Sequence, residues 1–188
     1  VNARNWDSFY SRTNNNVNQP YMYLTIKSII DKCGEDFNVC LIDDDSFQKI
    51  IPGWTVDMDR VSEPHKETIR LLALLRTLLH YGGVIVPPSL FCHKSLMHPL
   101  RKFIKDKEFF VADMKNESVS ADENVLAPSI KMMGCNRENK ECKALIEYVE
   151  RLASENYTDS IRFEGLVSNY METKVVEDSM KALDAAVI

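Results

Sequence analysis

Apolar residues along the chain fall into two patterns, helical spacing and short continuous runs, and the two alternate. From Tyr21 to Lys32, the residues Met22, Tyr23, Ile26, Ile29 and Ile30 recur at helical spacing, with Pro20 suited to a first turn and Gly34 to a stop. The next run, Val39-Cys40-Leu41-Ile42, has the form of a strand covered on both faces and ends in Asp43-Asp44-Asp45-Ser46. Asp45 or Ser46 can cap a short helix through Ile51, which Pro52-Gly53 stops, and Trp54 to Glu63 forms a loop with an extended piece. Pro64 opens a long helix to His80. Its residues Ile69, Leu71, Leu72, Leu74, Leu75, Leu78 and Leu79 cover more than one face, which predicts burial on several sides.

Beyond the Gly82-Gly83 turn, Val84–Val86 and Phe109–Ala112 are predicted strands, Leu96–Lys105 is a short helix, and Asn124–Ile130 returns to the sheet. Asn139–Ser154 is a further amphipathic helix, and Ile161–Ile188 supplies at least one more. Residues 1–19 are polar and rich in Asn, and form an irregular arm anchored by Trp6, Phe9 and Tyr10. The alternation predicts an α/β fold, a mostly parallel sheet flanked by helices, as one domain over residues 20–188.

Composition narrows the classes of function. A chain of 188 residues with 45% hydrophobic content can bury a real core, which excludes a disordered protein. Its net charge of -5 argues against an extended nucleic-acid surface, which needs clustered Lys and Arg. No apolar run reaches the length of a membrane span, so the expectation is a soluble protein in a reducing compartment or a virion rather than a secreted one.

The five cysteines include no CxxC pair. Cys33 with Cys40 and Cys135 with Cys142 share one spacing, which allows two loop-closing disulfides; the favoured reading is reduced, mostly buried thiols. Asn116-Glu117-Ser118 and Asn156-Tyr157-Thr158 are glycosylation sequons, of consequence only in a secretory compartment. His65, His80, His93 and His98 show no metal-ligand spacing and are assigned to the surface or to local hydrogen bonding.

Three segments carry a family resemblance. LIDDDSFQKIIPGW, LLRTLLHYGG and VIVPPS resemble, in that order, the acidic turn with its short helix, the helix entering a Gly-Gly turn, and the strand leading to the DXD motif of the DXD-type sugar-binding glycosyltransferases. This family includes initiating mannosyltransferases and capsular polysaccharide synthesis proteins. The resemblance spans Pro20 to Val167 and implies a GT-A nucleotide-diphospho-sugar transferase fold. It implies a sugar-nucleotide-dependent glycosyltransferase-like protein, a hexosyltransferase where active, with a sugar nucleotide and a glycan acceptor as partners.

The chain departs from that pattern where the chemistry lies. The family carries an Asp one turn before the helix Arg and a DXD after the strand; here those positions are Ala73, then Pro87 and Ser89. Mn²⁺ and Mg²⁺ need oxygen ligands, commonly one or two carboxylates plus phosphate oxygens, so no cofactor is expected at Pro87–Ser89. Arg76, Gly82, Gly83, Ser89 and Lys94 remain as nucleotide-sugar candidates. Asp43 and Asp45 form the candidate for a relocated metal site, with Asp57 and Asp59 next, although acidic residues there also suit helix capping. The alternative function is a non-catalytic structural or interaction protein on the same scaffold, for example a minor component of a large virus particle.

Overall fold

A computed structural model describes residues 20–113, 126–155 and 160–184. The 1–19 arm and both sequons therefore lie outside the described residues. The chain divides into two compact units, a smaller one containing Pro20–Val39 and Pro87–His98 and a larger one containing Cys40–Val86 and most of the remainder.

The larger unit is built on a four-stranded sheet, β1 (Gly83–Ile85), β2 (Phe110–Asp113), β3 (Pro128–Cys135) and β4 (Lys181–Asp184), in the spatial order β1-β3-β2-β4. β3 runs antiparallel to both β1 and β2, while β2 and β4 are parallel. The fold is α/β, but the sheet is mixed and not mostly parallel, which corrects the expectation. Alternation of helices and strands does give β1, β2 and β4 one direction; it cannot foresee that β3 inserts, reversed, between β1 and β2.

A second correction concerns Val39–Ile42, which forms no strand. A strand covered on both faces needs neighbours on both, and Leu41 is 74% exposed. Conversely, β4 lies in a stretch whose pattern suggested only helix. Of the predicted Asn124–Ile130 return, the part from Pro128 belongs to β3.

Strand alternation assigns the two faces of the sheet. Val111 and Met133 are register partners and join the main core with Leu71, Leu75 and Leu78 of α3 (Glu63–Tyr81), Leu145 and Val149 of α5 (Lys140–Ser154), and Phe163, Val167 and Met171 of α6 (Ser160–Val176). Phe110 points the other way and meets Phe103 of α4 (Met97–Asp106), with ring centroids 5.2 Å apart. Gly134 is the register partner of Phe110, and a Cβ there would lie 2.4 Å from the Phe110 ring, so the aromatic occupies the space that glycine leaves.

The predicted burial of the long helix on several sides holds. Its opposite flank packs on a second cluster, in which Phe47, Ile51, Trp54 and Met58 surround Ala73, with Ile69 and Leu74 at the margin. The chain from Ile42 to Met58 thus covers the α3 face that the sheet and the other helices leave open. α2 (Phe47–Ile50) and the 3₁₀ turn before it supply its rigid parts.

In the smaller unit, α1 (Pro20–Cys33) forms as the spacing predicts, and Gly34 closes it by donating its N–H to the Ile30 carbonyl at 2.9 Å. Polar contacts join this helix to the Pro87–His98 segment. Thr25 Oγ1 donates to the Pro88 carbonyl at 2.6 Å, and Ser28 Oγ accepts the Cys92 N–H at 2.9 Å.

Candidate functional site

The acidic turn is organised by capping. Asp43 caps the 3₁₀ turn Asp44–Ser46, its carboxylate accepting the Ser46 N–H at 3.0 Å and the Ser46 hydroxyl as well. Those hydrogen bonds hold the Asp43 carboxyl below the usual carboxylate range. Asp44 receives a two-pronged contact from Arg70, Nε to Oδ1 at 2.8 Å and Nη2 to Oδ2 at 2.7 Å. The guanidinium keeps Asp44 ionised to lower pH, and the carboxylate raises Arg70 in turn.

Asp45, the other half of the relocated-site candidate, is exposed. Asp57 caps the next 3₁₀ turn, accepting the Asp59 N–H at 3.1 Å, and also pairs with Arg60 at 3.1 Å. Among the described residues, no three His, Cys, Asp or Glu side chains gather as ligands for a metal ion. The turn as folded serves capping and ion pairing.

Arg76 stands on the outer part of α3. Its Nη2 donates to Glu150 Oε1 of α5 at 2.6 Å, and the guanidinium lies over the Trp54 ring, 5.7 Å from the centroid. An acidic partner suits a helix Arg, but neither Glu150 nor Trp54 can be named from the sequence, because nothing in the spacing of residues 54, 76 and 150 foretells that the second apolar cluster and α5 converge there. One turn earlier, Ala73 is 0% exposed among the aromatic and aliphatic side chains of that cluster. The position that the resemblance assigns to a carboxylate is therefore dry and apolar.

Gly82 and Gly83 make the turn from α3 into β1 with positive φ of 72° and 118°. At Gly82 a Cβ would also lie 2.7 Å from the Arg137 nitrogen, so close backbone approach requires glycine there. Positive φ at both positions, with the close approach at Gly82, accounts for the glycines without a ligand. Ser89 and Lys94 are exposed on the Pro87–His98 segment of the smaller unit. Of the candidates, Arg76 stands within α3, and Gly82 and Gly83 form the turn that follows it, all in the larger unit.

The histidines keep to local contacts where these are defined. His65 Nδ1 lies 2.9 Å from Ser62 Oγ, His80 meets the Tyr81 ring edge-on, and His93 packs on Phe91. Cys33, Cys92, Cys135 and Cys142 are buried, Cys40 is exposed, and all five are free thiols. Among the described residues, no helix is long and apolar enough to cross a membrane. No family model, curated protein or solved structure matches the chain.

Proposed function

We propose that this chain is a glycosyltransferase-like protein that no longer performs metal-dependent sugar transfer and acts as a non-catalytic interaction or assembly protein. One observation carries the reading: Ala73 is sealed in an apolar cluster where the resembling family places a carboxylate. The state of Arg76 supports it. A guanidinium paired with Glu150 and lying over Trp54 has part of its charge already offset, which weakens what it can offer a diphosphate.

The chemistry points the same way. A sugar-nucleotide transferase must offset charge on the departing diphosphate, with a cation or with positioned donors. Proline and serine at Pro87–Ser89 supply no carboxylate to fix a cation, while Asp43 caps its turn and Asp44 is paired with Arg70.

Calorimetric titration with UDP and GDP, with and without Mn²⁺, tests this. The expected result is no saturable binding and no hydrolysis of a UDP- or GDP-sugar. Metal-dependent binding or donor hydrolysis overturns it. If that activity disappears in the double variant Asp43→Asn with Asp45→Asn, a relocated metal site is the replacement reading; if it survives, another carboxylate serves.

A further inference from the structure

The smaller unit holds two cysteines far apart in sequence and adjacent in space. Cys33 ends α1, Cys92 lies in the Pro87–His98 segment, each is 3% exposed, and Cys33 stands beside the Cys92 thiol and helps to raise its pKa. Three further contacts fix the same pair of segments against each other: Thr25 to the Pro88 carbonyl, the Cys92 N–H to Ser28, and the Ser95 hydroxyl to the Asp36 carboxylate. The Cys92 backbone is thus anchored next to the helix, independently of its sulfur. We propose that Cys33 and Cys92 form a reversible disulfide that clasps the Pro87–His98 segment to α1.

The reaction needs a disulfide oxidant such as oxidised glutathione. One cysteine thiolate attacks a glutathione sulfur, the glutathione S–S bond breaks, and a mixed disulfide forms with loss of one glutathione thiolate. The second cysteine thiolate then attacks the protein sulfur of that mixed disulfide and expels the other glutathione. Two protein thiols become one S–S bond, two glutathione thiols are released, and the two protons pass to them.

Burial, and Cys33 beside it, push the Cys92 thiol up to about 11, so little thiolate exists at neutral pH while the unit stays closed. Closure of the clasp therefore belongs to folding or to transient opening, and reduction of the finished bond waits on the same opening. The linked residues enclose a loop of roughly 60 residues, for which cross-linking removes substantial freedom from the unfolded chain. The equal spacing of Cys33 with Cys40 is misleading here, since Cys40 is exposed while Cys92 is buried beside Cys33.

The test incubates the native full chain with oxidised glutathione, blocks the remaining thiols, digests without reduction and maps peptides by mass. The expected product joins the Cys33 and Cys92 peptides with loss of two hydrogens, and the oxidised protein melts several degrees above the reduced one. Cys92→Ser and Cys33→Ser each remove the cross-link. Recovery of Cys33 and Cys92 as blocked thiols, or of Cys33 joined to Cys40, overturns the proposal. The wild-type map decides this even if either variant fails to fold.

Discussion

α3 and α1 carry apolar residues at the same helical spacing, yet one buries leucines in two apolar clusters and the other buries hydroxyls beside its few buried apolar residues. α3 buries Leu71, Leu72, Ala73, Leu75 and Leu78 between two apolar clusters. α1 buries Ile29 and Cys33 together with the hydroxyl residues Thr25 and Ser28, and leaves Tyr21, Tyr23, Leu24 and Ile30 exposed. Periodicity announces a helix; it does not announce how much of the helix the rest of the protein covers. The distinguishing sign is the chemistry of the buried side. Where small hydroxyls sit on it, directional bonds to a neighbouring backbone add to the apolar packing.

The comparison breaks first at Ala73. Ala73→Asp places a carboxylate at a fully buried position within an apolar cluster, and the expected loss at pH 7 is about 3–5 kcal/mol. Burial raises that carboxyl above its unfolded value, so the ionisation part of the loss is full above the raised value and vanishes as pH falls below the ordinary aspartate range. Chemical denaturation at pH 7 and at acid pH measures both. A variant as stable as the parent would mean that the pocket admits a carboxylate, and the non-catalytic reading would lose its main support. Leu75→Ala, at a fully buried site of the main core, should cost about 2–5 kcal/mol.

On α1 the matching change is Ser28→Ala, which removes little apolar contact but leaves the buried Cys92 N–H without its acceptor. The expected cost is about 1–3 kcal/mol, expressed locally, and so a rise of about fivefold to 150-fold in the labelling rate of Cys33 and Cys92 by a thiol reagent. Cys135 and Cys142, in the larger unit, should label at their parent rates. Equal acceleration at all four sites would show that the two regions open together and would erase the contrast.

The elements that the sequence reveals are those whose pattern is local. α1, α3, α5 and the core of β2 follow from apolar spacing, from Pro and Gly at their ends, and from the caps; Asn139 accepts the N–H groups of Glu141 and Cys142 as a helix start requires. What escapes is set by distant neighbours. Val39–Ile42 has a strand's composition without a strand's partners, β3 takes its direction from the gap between β1 and β2, and β4 is too short to interrupt a helical pattern. The candidate site failed in the same way. Arg76 is legible as a cation on the long helix, but its commitment to Glu150 and Trp54 depends on where α5 and the second cluster come to rest.

The smallest of these effects concerns the solvent edge of α3, where Arg70 grips Asp44. Asp44→Asn removes one charge of a two-pronged pair whose side chains are each about one-third exposed, so solvent screening limits the cost to about 1 kcal/mol at pH 7. Because Arg70 lowers the Asp44 pKa in the folded state, the contribution is present above the unfolded carboxylate value and is lost as pH falls through the lowered folded value. The stability gap between parent and variant should therefore be full at neutral pH, shrink only at strongly acid pH, and narrow in 1 M salt. Arg70 also reaches Glu67 at 3.2 Å, so part of its anchorage persists in the variant. A gap that widens on acidification would mean that Asp44 is destabilised by its surroundings, and that the acidic turn is held against α3 by apolar packing at Phe47 and Trp54 alone.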